Sequence, residues 1–245
     1  MRKSGLLRFF IVALFLVAPL LAGCGGNPFS PPIDDGGGLP ADTPLNDTPE
    51  HLMQRFEATY ERQVLNEYEK LFASNFRFTF SSQSDPGLAN TWGANWGKDD
   101  EVESTSHLFD GFTNQLGEFQ GPASAITLSL PGTQIIDEPT QPDSAAFYKH
   151  VYVPTITLRI EIAAAEETIY EINAPHEFYL VRGDVALLDG TQEARADRWY
   201  IYRWDDKSPP TGTAAAVPRL ASLGSSLGPI RTTWGNLKSS YVPNM

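Results

Sequence analysis

The sequence predicts an α+β domain in which a few N-terminal helices are followed by long, antiparallel-looking strands. Three observations carry this reading. Leu52, Phe56, Tyr60 and Val64 recur at every fourth position, the spacing of one helix face. Phe76, Phe78 and Phe80 then alternate with polar neighbours, as in a half-buried strand. Beyond residue 122, four further segments keep a period of two up to residue 204.

The first helix opens at Thr48-Pro49-Glu50. Thr48 suits the N-cap, Pro49 the first helical position and Glu50 the positive end of the helix dipole. Residues 66–73 read as a second short helix with Tyr68, Leu71 and Phe72 inward, and 75–80 as the first strand. Residues 81–97 are polar and glycine-rich and read as a loop that carries Trp92 and Trp96. Residues 98–116 read as a third helix, with Asp99, Asp100 and Glu101 in its first turn and Val102, Phe109, Phe112 and Leu116 along one side. The strands are 123–130, 147–163, 168–182 and 197–204, with a turn-rich loop at 131–143. Pro154 marks a bend or an edge in the second of them. The acidic doublets Glu166-Glu167 and Asp205-Asp206 read as soluble turns. Past residue 206 the chain is rich in Pro, Ser, Thr and Ala, and 233–241 reads as a small docking segment with Trp234 and Leu237 as its apolar contacts.

The 245 residues carry 30 acidic and 18 basic side chains, a net charge of −12. That balance speaks against a nucleic-acid partner held by electrostatics. A single cysteine excludes an internal disulfide and a cysteine-rich zinc site. The cysteine stands at position 24, behind the basic residues Arg2, Lys3 and Arg8 and a run of ten apolar residues, 9–18. This is the layout of an export signal. Leu21-Ala22-Gly23-Cys24 resembles the lipobox of bacterial lipoproteins. That resemblance implies cleavage before Cys24, acylation of its thiol and amine, and a membrane partner reached through the lipid. Gly25 rather than Asp after the cysteine implies the outer membrane. Removal of residues 1–23 would leave 15 basic against 30 acidic side chains, a net charge of −15. An anionic bilayer repels such a body, so the lipid must do the holding. Residues 24–48 read as the lipidated cysteine and a flexible tether, 49–206 as the domain and 207–245 as a C-terminal extension.

Three stretches resemble the nuclear transport factor 2-like superfamily, which includes SnoaL-like proteins. They are 56–60 continuing into 68–78, Trp96-Gly97-Lys98-Asp99-Asp100-Glu101, and Asp197-Arg198-Trp199-Tyr200-Ile201. The resemblance implies a strongly curved sheet wrapped as a cone around the helices. It also implies a pocket lined from the inward strand faces, and frequent dimers through the outer sheet face.

Candidate site residues follow from the strand faces. His176 is the one titratable residue on the face Tyr170, Ile172, Ala174, His176, Phe178, Leu180, so it is the candidate general base. Tyr170, Phe178, Trp199 and Ile201 are candidate pocket walls. Period two places Trp199 and Ile201 on one face of the last strand and Tyr200, Tyr202 and Trp204 on the other, which could cover a helix, a second copy or the C-terminal tail. His107 and Asp110, three apart on a helix, could be a base and its orienter. His51 and His150 have no evident partner. No histidine spacing suggests a metal, and no cofactor is expected. The favoured reading is a membrane-anchored, non-enzymatic module that binds an unknown small apolar ligand or a protein. The alternative is a SnoaL-like lyase, isomerase or cyclase that acts through His176 on a small apolar substrate.

Overall fold

The computed structural model describes residues 38–92, 96–114, 117–140, 146–163, 168–183, 197–209 and 228–242. Cys24, the lipobox, Leu116 and Glu166-Glu167 lie outside the described residues.

Helix α1 (Pro49–Glu61) begins as its sequence dictates, with the Thr48 hydroxyl accepting from the His51 amide at 3.1 Å. It buries Leu52, Met53, Phe56 and Tyr60. Val64 lies just past its end and is also buried. Helix α2 is shorter than the sequence suggests (Leu65–Glu69), because the Leu71 carbonyl already accepts from Ile201 in the sheet at 2.8 Å. Strand β1 (Phe72–Thr79) therefore starts where a helix is expected, and Phe72, Phe76 and Phe78 point inward from it. The loop reading of 81–97 misses helix α3 (Pro86–Thr91), whose six residues are too few to display a helical period.

Helix α4 (Lys98–Asp110) ends earlier than expected, at Gly111 with φ of +75°. Its inward side is Glu101, Ser104, Thr105, Leu108 and Phe109, and Val102 is only half-buried. A small hairpin, β2 (Phe112–Thr113) with β3 (Phe119–Gln120), follows. The sheet then runs through β4 (Ala123–Ser129), β5 (Gln134–Asp137), β6 (Tyr148–Ile162), β7 (Thr168–Arg182) and β8 (Trp199–Asp206). Strand β9 (Ile230–Arg231) and helix α5 (Trp234–Ser240) close the described chain.

The fold is α+β, with N-terminal helices packed in a strongly curved sheet. Strand order is β1-β8-β7-β6-β4, with β5 added on β6 and β9 on β7. The pairings among β4 to β8 are antiparallel, whereas β1 joins β8 and β9 joins β7 in parallel. Helix α4 touches both β1 and β4, the two ends of this path. In a flat sheet those ends stand about 19 Å apart, wider than a helix of about 10–12 Å. The sheet must curl around α4 for both contacts to exist.

Bulges permit the curl. On β6, Pro154 and Thr155 together face Pro175, between the pairs Val153–His176 and Ile156–Ala174. Pro154 thus sits where β6 hands over from β5 to β4 as its outer neighbour, and its missing N–H costs no ladder bond. On β8, Leu180 pairs with Ile201 and Tyr179 with Arg203, so Tyr202 is an extra residue. That extra residue reverses the alternation. Trp204 joins Trp199 and Ile201 in the core, while Tyr200 and Tyr202 cluster with Ala73, Val181 and Tyr148 outside it. The even alternation expected for the last strand is corrected accordingly. The doublet Asp205-Asp206 is likewise no soluble turn. Both residues belong to β8 and are buried.

Candidate functional site

Inside the curl lies an aromatic chamber in which three buried carboxylates, a histidine and a lysine meet the C-terminal helix. His176 reaches it from β7, directly after Pro175, the residue opposite the β6 bulge, and is fully buried. The Trp204 indole N–H donates to His176 Nδ1 at 3.0 Å, which leaves the ring neutral with its proton on Nε2. That Nε2 lies 3.9 Å from Asp206 Oδ1 and makes no hydrogen bond. Burial lowers the His176 pKa, and Lys238 acts in the same direction against the pull of Asp206. Asp206 Oδ1 accepts instead from the Ser208 amide at 2.8 Å and the Ser208 hydroxyl at 2.5 Å. The rings of Trp204 and Trp234 flank His176 at 5.9 and 5.8 Å.

A second polar group lies in the same core. Glu101 on α4 is fully buried and accepts from the Tyr68 hydroxyl at 2.6 Å and the Trp96 indole N–H at 3.2 Å. Its Oε1 also accepts from the Lys238 ammonium, which is only 3% exposed. The Lys238 Nζ lies 4.4 Å from the Trp204 ring centre, 4.9 Å from that of Phe78 and 5.6 Å from that of Trp234. Each ring is close enough for a cation–π attraction. Burial holds the Lys238 pKa down to about 8, with Glu101 opposing. A third carboxylate, Asp85, accepts from Thr233 Oγ1 at 2.5 Å and from the Asn236 side-chain amide. Burial raises its pKa.

The structure brings the expected pocket walls to this core without leaving them open. Phe178 stacks on Trp204 at 5.0 Å and meets Phe56 edge-on at 5.4 Å. Ile201 is fully buried, Trp199 is nearly so, and Tyr170 is partly buried against the same cluster. His107 and Asp110 are not brought together. The His107 ring stacks on Phe112 and bonds the Tyr241 carbonyl at 2.7 Å, while Asp110 is exposed. His51 pairs with Asp47 at 2.6 Å on the surface, and His150 stacks on Tyr179.

Sequence reasoning missed Glu101, Asp206 and Lys238. Glu101 hides in an acidic first turn, and its inward face is signalled only by Ser104, Thr105 and Leu108 at helical spacing. Lys238 stands four residues after Trp234, hence on the same side of α5. That was the one available signal.

A separate groove of about 380 Å³ lies between α1 and the β4–β5 turn, lined by Glu50, Met53, Glu57, Leu130, Thr133 and Ile135 among others. None of the chamber residues lines it. Among the described residues, no group of three or more His, Cys, Asp or Glu side chains is placed to hold a metal ion. Among them, too, no helix is long and apolar enough to cross a membrane.

No protein-family model matches the sequence, and no curated protein matches it. Solved structures are similar at low identity. A scytalone dehydratase-like protein from Novosphingobium aromaticivorans is 13% identical over 67% of this chain and 91% of that one, with a TM-score of 0.40. A nuclear transport factor 2-like superfamily protein from Salmonella enterica serovar Typhimurium is 9% identical over 69% and 91%, with a TM-score of 0.39. A protein from Bdellovibrio bacteriovorus is 11% identical over 66% of this chain, with a TM-score of 0.38; there the chain spans only 40% of the other protein's length.

Proposed function

We propose that this is a lipid-anchored cell-envelope protein, held to the outer membrane through acylated Cys24, whose domain binds and does not catalyse. The observation that carries the non-catalytic reading is the filling of the chamber. Trp234 of α5 packs against the His176 ring at 5.8 Å, the Trp204 indole N–H takes its Nδ1, and Lys238 of the same helix lies buried over the Trp204 ring. A general base needs a substrate within hydrogen-bond reach, and here the neighbouring atoms are the chain's own. The outer face of the sheet, where Tyr148, Tyr179, Tyr202 and Arg203 lie together, is the surface offered to a second copy or another protein.

The anchoring part rests on Leu21-Ala22-Gly23-Cys24 and the basic and apolar stretch ahead of it. Mass spectrometry of the membrane fraction tests it. A mature N-terminus at Cys24 carrying acyl chains is the expected result, and an unmodified chain extending upstream of Cys24 in a secreting host would overturn it. For the binding part, native mass spectrometry of the extracted protein should reveal co-purifying small molecules or partners. The second reading, a lyase, isomerase or cyclase of the SnoaL type, draws on the 3.9 Å approach of His176 to Asp206. It requires α5 to leave the chamber before any substrate could enter.

A further inference from the structure

We propose that the chamber is a built recognition site for a primary alkylammonium group, filled in this chain by its own Lys238. The proposal rests on the binding reading above and names the ligand class of the same site.

Three observations carry it. The first is the chemistry of the walls. A fully buried carboxylate, oriented by the Tyr68 hydroxyl and the Trp96 indole, faces the ammonium, and the rings of Phe78 and Trp204 surround it. A carboxylate together with aromatic faces is how an alkylammonium is recognised in a site closed to water. The second is where the parts come from. Glu101, Tyr68, Trp96, Phe78 and Trp204 all precede residue 207, in α4, α2, β1, β8 and the segment before α4. The cation and its covering ring, Lys238 and Trp234, come from the far side of residues 210–227. The domain supplies the cage and the tail supplies the guest.

The third is the seam between them. His176 Nε2 on the domain side and Trp234 Nε1 on the tail side are both buried, and neither has a hydrogen-bond partner. Buried donors in a core shaped only by packing are normally paired. The rest of the tail is well bonded, through Thr233 and Asn236 to Asp85 and through the Lys238 carbonyl to Ser104, so the two unpaired nitrogens single out the chamber itself as the incompletely satisfied part of the contact.

The test uses the full chain with Lys238→Ala, n-butylammonium chloride as the probe, and n-butanol and sodium chloride as controls. Melting temperature and tryptophan fluorescence are the readouts. The expected result is a saturable rise in melting temperature and a saturable fluorescence change with butylammonium alone. Adding Glu101→Gln to Lys238→Ala should weaken that response about tenfold or more. Lys238→Met, whose uncharged stem fills the place of the lysine, should not respond. A response no larger than that to butanol or sodium chloride, or one unchanged by Glu101→Gln, would overturn the proposal.

If Lys238→Ala does not fold alone, its refolding in n-butylammonium chloride decides. Recovery of the near-ultraviolet circular dichroism with butylammonium, and not with equimolar n-butanol or sodium chloride, is the expected result. No recovery beyond that in the two controls would overturn the proposal. Lipidation of Cys24 and co-purified partners are read independently, so failure here is distinguishable from failure of the anchoring and binding reading.

Discussion

At the scale of single residues, His176 is held neutral by its surroundings. Its Nδ1 is taken by Trp204 and its burial penalises the imidazolium, so its folded pKa lies below the ordinary 6.5. The unfolded chain then binds the proton first as pH falls, and stability drops as pH is lowered through about 6.5. Urea midpoints between pH 7.5 and 5 should therefore decline in the wild-type chain. The decline should be shallower in His176→Gln, which keeps an acceptor for the Trp204 N–H; an equal slope in both would remove His176 as the cause. The strand face that carries His176 was legible in the sequence because period two spans the whole of β7. Its neighbours Glu101, Asp206 and Lys238 were not. A buried charge is paid for by partners distant in sequence, and a polar residue on a helix or at a strand end reads as solvated until those partners are known.

At the scale of elements, the long ones declared themselves and the short ones did not. Helices α1 and α4 and strands β4, β6 and β7 each repeat their period often enough to be read. Helix α3, the β2–β3 hairpin, β5 and β9 have between two and six residues and no period to display. The face of Trp204 was misread for a different reason, since one extra residue at Tyr202 reverses every side chain beyond it. Tight element junctions depend on small residues in the same local way. A Cβ on Gly121, between β3 and β4, would stand 2.2 Å from the backbone carbonyl oxygen of Ala163. Gly121→Ala must therefore push the hairpin off the end of β6, at a cost of about 1–3 kcal/mol. Chemical denaturation measures this, and a loss below the error of the fit would show that the junction yields freely.

At the scale of the whole molecule, the C-terminal segment belongs to the core rather than trailing from it. Trp234 is fully buried and contacts the rings of Phe56, Tyr60, His176 and Trp204, which come from α1, β7 and β8. Leu237, Tyr241 and Val242 join the same cluster, and Ser104 of α4 donates to the Lys238 carbonyl at 3.0 Å. One segment thus ties the helical layer to the sheet across the open side of the curl. Truncating a buried tryptophan to alanine costs about 3–5 kcal/mol. Domains of this kind hold about 5–15 kcal/mol in total. Trp234→Ala should therefore remove about a fifth or more of the stability, with an earlier urea midpoint and weakened near-ultraviolet circular dichroism. A loss under about 0.5 kcal/mol, the level of an ordinary surface change, would mean that α5 does not rest in the chamber in solution. In that event the space before His176 would be open, and the catalytic reading would regain the room it needs.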